Sequence, residues 1–222
     1  MKDSLLNMHH FQSLLNAYKN KKKEIKERLK EFEEVWQQRD NERIFEELCY
    51  CILTANTSAE MGIRVLRAVK PFLLKDDTNS LSARLHSHSC RFYNMRARFI
   101  CETRDFLKHK CNLDLVALIS SFKTAEERRN FFAKTKEIKG IGYKEASHFL
   151  RNIGFKGYAI LDKHILNTMC EFNIICEKPK TLTPKRYLMI EEQLKNFSEQ
   201  IGIDFDELDL LIWSEKTGKI LK

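Results

Sequence analysis

"KGIGYKEASHFLRN", residues 139–152, sets two glycines one residue apart and then a lysine at the start of a helix. Only seven glycines occur in 222 residues, yet four of them fall between Gly140 and Gly157. Together with the preceding "TAEERRNFFAKTKEI", the stretch reads as two helices and a tight turn. The first is expected from about Thr124 to about Ile138, the second from about Tyr143 to Asn152. In the second, Ala146, Phe149, Leu150 and Ile153 recur at i, i+3, i+4 and i+7 and should face the core. Gly154 stands where a left-handed residue ends a helix. In the turn, Gly140 and Gly142 allow positive φ and a close backbone approach, while Ile141 can anchor in the core. The unpaired N–H groups of the turn and of the next helix point outward together, which makes an anion site with Lys139 alongside. A plain helix–helix corner is the competing reading of the same turn.

Lys144 sharpens the choice. A cation in the first turn of a helix opposes the macrodipole, where an acidic residue would be favoured. That mismatch disfavours the ammonium and so favours the neutral amine that Schiff-base chemistry requires. Eighteen residues later, "GFKGYAILDKHILNTM" brings a glycine-bearing loop and then Asp162 before another helix. Asp162 is a natural N-cap. The spacing leaves room for a helix and a return loop, so its carboxylate can come back beside the amine.

Almost every other segment has helical period. Ile25, Leu29, Phe32 and Trp36 mark an amphipathic helix, and Ile44, Leu48, Cys51, Ile52 and Ala55 a buried stripe. "SAEMGIRVLRAVKPFL" is a third helix that Pro71 should end or kink. "KDDTNS" is expected to be a turn, after which "RFYNMRARFICETRDFLKH" resumes helix. Thr124 with Glu127 forms a capping box, and Thr183–Pro184 starts a helix with proline in its first turn. Strand patterns are nearly absent, the best being "YAIL". The expectation is an all-α protein of roughly ten helices without repeats.

Net charge is +8, which directs the search for partners toward polyanions, nucleic acid first. No run of about 18 apolar residues exists to span a membrane, and the N-terminus lacks a signal-peptide pattern. Seven scattered cysteines, an odd number, argue for reduced thiols in a cytosolic setting. His86, His88 and Cys90 are metal-ligand types, but a polar turn explains them better than a metal site. Cys49-x-Cys51 lies in an apolar helix and reads as buried. No phosphate-loop or dinucleotide fingerprint is present.

"IKGIGYKEASHFL" followed by "AILDKH" resembles the helix-hairpin-helix, loop and aspartate motif of the endonuclease III superfamily of DNA glycosylases. A lysine in the hairpin's second helix marks the bifunctional glycosylase/lyase branch. Four stretches look more specifically like type-2 8-oxoguanine DNA glycosylases: "ELCYCILTANTSAEMGIR", "RFYNMRARFI", the hairpin block and the tail "ELDLLIWSEKTGKILK". The likeness runs from about residue 20 to the end.

The resemblance implies two helical subdomains, residues 37–135 forming the middle one and 1–36 with 136–222 the other, with the active site in the cleft between. Lys144 would attack C1′ of the damaged nucleotide, form a Schiff base and permit β-elimination. Asp162 would stabilise positive charge on the sugar. Lys139, Gly140, Ile141 and Gly142 would form the hairpin contact to the DNA backbone, and His164 would touch it too. Asn56 would fill the hole left by the extruded nucleotide. Phe92 and Trp213 would sandwich the flipped purine, and Lys222, through its terminal carboxylate, would read the lesion's edge.

The implied partner is double-stranded DNA containing oxidised guanine, handled by a monomer that is cytoplasmic and nucleoid-associated. No metal or organic cofactor is implied, apart from the option of a monovalent cation at the hairpin when DNA is bound. The chain departs from relatives in two ways. Only Cys170 and Cys176 lie beyond Asp162, so a four-cysteine iron–sulfur cluster cannot form, and Lys139 replaces a frequent proline. A glycosylase for another oxidised base, or a non-catalytic DNA-binding module, are the alternatives.

Overall fold

The computed structural model describes the backbone of residues 2–221 and the side chains of 11–221. Eleven α-helices occur among the described residues, and no strand. They are α1 Lys2–Gln37, α2 Asn41–Thr54, α3 Ala59–Val69, α4 Thr78–Ser87, α5 Tyr93–Cys111 and α6 Leu115–Ser120. The rest are α7 Ala125–Lys134, α8 Tyr143–Asn152, α9 Lys163–Glu171, α10 Pro184–Ile201 and α11 Phe205–Thr217. Pro71 does end α3, in a 3-10 turn at Lys70–Phe72. The segment 76–80, expected to be a turn, instead starts α4: Asp77 caps it by accepting from the Ser80 N–H at 2.7 Å. A polar N-terminus hid that helix, whose buried side is only Leu81, Ser82 and Leu85.

The helices divide into two compact units, Glu33–Gly154 and the remainder. In the first, α2 is the centre, packed by α3, α5, α6 and α8. The expected stripe is in fact burial all round, from Ile44 to Leu53. Two carboxylates share that burial because each is paired. Glu46 binds Arg43 and Lys70 at 3.0 Å each, and Glu47, 1% exposed, binds Arg43 at 2.9 Å. Glu47 also accepts from the Asn152 amide at 3.3 Å, which ties α2 to the end of α8. Phe132 of α7 and Phe149 of α8 meet edge to face, with centroids 4.8 Å apart. These contacts place the hairpin in the middle unit, whereas the sequence reading assigned residues 136–154 to the other one.

In the second unit, α11 packs against α9 and α10. It is tied to α1 by Tyr18, whose hydroxyl donates to Glu207 at 2.5 Å, and by Lys21, which reaches Ser214 at 3.2 Å and Glu215 at 2.6 Å. Burial and the Glu207 carboxylate both raise the Tyr18 phenol above its ordinary range, so it stays a donor. The loop before α9 contains "YAIL", the best strand pattern in the chain, yet it pairs with no strand. Side chains take its backbone groups instead. The N–H of Gly157 goes to Asp206 at 2.9 Å, that of Ala159 to Glu191 at 2.8 Å and that of Ile160 to Asp209 at 3.1 Å. The Tyr187 hydroxyl accepts from Leu161 N–H at 3.3 Å and donates to Ala159 C=O at 2.6 Å. Buried backbone groups need partners, and α10 and α11 supply them.

Two substitutions test these ties. Glu47→Ala removes the acceptor of the Asn152 amide and leaves Arg43 with Glu46 alone, and it should lower unfolding free energy in urea by about 2–3 kcal/mol, with Glu47→Gln milder. Tyr187→Phe leaves Ala159 C=O and Leu161 N–H without the phenol and should cost about 1–3 kcal/mol, with faster amide exchange at Leu161.

Candidate active site

The turn between α7 and α8 is longer than expected, because α7 stops at Lys134 rather than near Ile138. Thr135 leaves helical geometry, and Ile138 N–H closes a turn onto Thr135 C=O at 3.1 Å. α5 holds the next two residues. The buried Thr103 hydroxyl accepts from Lys139 N–H at 2.9 Å, and a Cβ on Gly140 would lie 2.6 Å from the Phe99 ring. Gly140 has φ +72°, so both its conformation and its contact demand glycine. Ile141 is buried, as its place between the glycines implied.

Gly142 differs from the expectation. Its φ of −97° and ψ of −167° are extended backbone open to any residue. What sets it apart is its N–H, which donates to Glu145 Oε2 at 3.3 Å. This is half of a capping box, since glycine has no side chain to return the bond.

Lys144 comes in the first turn of α8, its side chain 35% exposed, with Nζ 3.1 Å from Glu145 Oε1. One carboxylate therefore touches both the hairpin amide and the amine. Glu145 was missed in sequence because a glutamate at the third helical position reads as an ordinary cap. Lys139 Nζ lies 4.0 Å from Glu102.

Two more predicted residues belong to this unit. Asn56 is exposed in the turn after α2 with φ +57°, and Phe92 caps α5 with φ +56° and is 50% exposed. The guanidiniums of Arg91 and Arg96 lie 5.1 and 5.9 Å from the Phe92 ring centre. A large exposed aromatic in the left-handed region is uncommon, and such strain gathers at binding sites.

Asp162, His164 and Trp213 lie in the other unit. Asp162 is the N-cap of α9, and Oδ1 accepts from His164 N–H at 2.8 Å and Ile165 N–H at 2.9 Å. Oδ2 accepts no hydrogen bond among the described residues. The His164 ring is half-buried, and so is Trp213 on α11. Glu215, an acid next to the expected lesion pocket, is neutralised by Lys21. Lys222 lies outside the described residues. Asp206 and Asp209, which hold the loop leading to Asp162, left one trace in the sequence: acids within the apolar run "DFDELDLLIW".

No group of three or more His, Cys, Asp or Glu that could hold a metal occurs among the described residues. His86 instead packs against the Tyr93 ring, with centroids 4.5 Å apart. Burial pushes the Cys49 thiol well above its ordinary range, so it is not poised as a thiolate. No helix among the described residues is long and apolar enough to cross a membrane.

Comparison with known proteins bears on the family and the fold. The helix-hairpin-helix family described as 8-oxoguanine DNA glycosylase matches residues 25–203. An 8-oxoguanine DNA glycosylase/AP lyase from Korarchaeum cryptofilum is 43% identical over 198 residues, covering 89% of this chain and 90% of its own. The crystal structure of the Methanocaldococcus jannaschii 8-oxoguanine DNA glycosylase superposes with a TM-score of 0.87 at 39% identity, covering 98% of this chain and 99% of that one. The M. jannaschii enzyme in complex with a 15mer DNA containing 8-oxoguanine gives 0.86 at 40% identity, covering 95% and 98%. On this family match and these identities, the chain belongs to the 8-oxoguanine DNA glycosylase family.

Proposed function

We propose that this protein excises 8-oxoguanine from double-stranded DNA and then cleaves the strand as an AP lyase, with Lys144 as nucleophile. The observation that carries the assignment is the partly exposed Lys144 amine, two residues past the Gly142 amide, in a chain of this family. Hairpin amides and a net charge of +8 suit sequence-independent phosphate binding that weakens steeply with salt. A base inside the duplex is unreachable, so the nucleotide is extruded at a cost of a few kcal/mol. Phe92 stacks on the flipped base, Trp213 serves its other face, and Asn56 fills the vacated space. Lys222 reads the lesion's edge, and His164 contacts the backbone.

For the reaction, the Lys144 amine must leave the Glu145 carboxylate and shed a proton. Nζ then bonds to C1′ as the C1′–N9 bond breaks, and the departing base takes up a proton. Opening of the sugar ring gives the Schiff base. Loss of a C2′ proton expels the 3′ phosphate, and water releases the enzyme. The negative charge of Asp162 stabilises the cationic sugar on the way, its Oδ1 fixed by two amides. An amine and a carboxylate suffice for these steps, and a monovalent cation at the hairpin would act only on backbone contact.

Borohydride trapping is the test. A covalent adduct with an 8-oxoguanine duplex is expected for the wild type and absent for Lys144→Gln. DNA binding without an adduct in the wild type would instead identify a non-catalytic binding module. Asp162→Asn should bind the duplex normally but excise about 10²–10³-fold more slowly in single turnover. Excision of an oxidised pyrimidine in preference to 8-oxoguanine would reassign the substrate.

A further inference from the structure

Arg96 is the largest fully buried side chain, 2% exposed, and it has no carboxylate partner among the described residues. Its guanidinium donates instead to the backbone carbonyls of Leu53 and Ala55, and to Cys90 Sγ at 3.6 Å. Those carbonyls lie at the C-terminal end of α2, the negative pole of the helix, which suits a cation. Even so, removing a guanidinium from water costs several kcal/mol, and an apolar side chain of similar volume would often serve stability as well. The charge therefore calls for a reason beyond packing.

The reason lies in the peptide it grips. Ala55 has φ −54° and ψ 119°, Asn56 has φ +57°, and Thr57 N–H closes onto Thr54 C=O at 3.0 Å. These values describe a type II turn with asparagine at its left-handed corner. Type I and type II turns differ mainly by a flip of the central peptide, whose oxygen here is that of Ala55. A guanidinium bound to that oxygen selects the type II form and with it the direction of Asn56. The same guanidinium also lies against Phe92, 5.9 Å from the centre of its ring. Two exposed residues with left-handed backbones are thus referenced to one buried cation.

We infer that Arg96 is a positioning residue for damage recognition, holding Asn56 in its void-filling conformation and Phe92 in its stacking one from a single guanidinium. The inference rests on the roles proposed for those two residues, and its test separates the two. Arg96→Met keeps the volume and removes every side-chain donor; Arg96→Lys keeps the charge but reaches only one carbonyl. Single-turnover excision of 8-oxoguanine should fall about 30–100-fold in Arg96→Met, the scale of loss that misplacement causes. Nicking of a preformed abasic site, which needs no base on Phe92, should fall much less. Arg96→Lys should lie between, and it carries the prediction if Arg96→Met does not fold.

A 2-aminopurine opposite the lesion should report the same altered stacking in Arg96→Met as in Asn56→Ala. Adding Asn56→Ala to Arg96→Met should then cost little more, because one acts through the other. If excision and nicking fall together, in step with lost thermal stability, Arg96 is only structural and the inference fails. If folded Arg96 variants keep the wild-type ratio of the two activities while Asn56→Ala and Phe92→Ala are impaired, the inference alone fails. If Asn56→Ala and Phe92→Ala are themselves unimpaired, the proposed recognition roles are wrong.

Discussion

A backbone N–H or C=O withdrawn from water must find a partner, and helices satisfy that demand only along their length. In this protein the groups proposed to act stand where helices begin or end, so side chains meet the demand there. Thr103 holds Lys139, Glu145 holds Gly142, and Arg96 holds Leu53 and Ala55. Tyr187, Glu191, Asp206 and Asp209 hold the loop before Asp162. Apart from the local tie of Gly142 to Glu145, each irregular segment is thereby fixed by a helix distant in sequence.

Polar side chains used in this way satisfy the backbone of the proposed site without enclosing it in regular structure. The hairpin shows why that is useful. Its glycines are exposed and its isoleucine is buried, so the amides face outward while the turn stays anchored. Glu145 occupies one of those amides and the neighbouring amine together. An arriving phosphate and the Glu145 carboxylate would compete for the same N–H.

Much of the fold was readable from residue pattern. The capping box at Thr124, the proline start at Pro184, the left-handed Gly154 and the N-cap at Asp162 all arise from local chemistry and are present. Failures came where a tertiary neighbour overrode a local signal. α2 carries two glutamates, which made it look half exposed, until Arg43, Lys70 and Asn152 allowed them inside. "YAIL" alternates like a strand, but its amides are taken by side chains of α10 and α11. The hairpin groups with α2 and α7 because Phe149 and Asn152 find partners there, which no spacing within residues 139–152 could reveal.

By itself the chain's order of residues determined that it is helical, where most helices begin and end, and which amine and carboxylate stand at helix starts. Those are local matters, decided within a few residues by capping, periodicity and glycine's freedom. Only the tertiary structure decided why Gly140 must be glycine, which acids hold the Asp162 loop, and that a buried arginine grips the turn at Asn56. Contacts of that kind join positions tens of residues apart, and the strength of each depends on burial that exists only once the helices have packed.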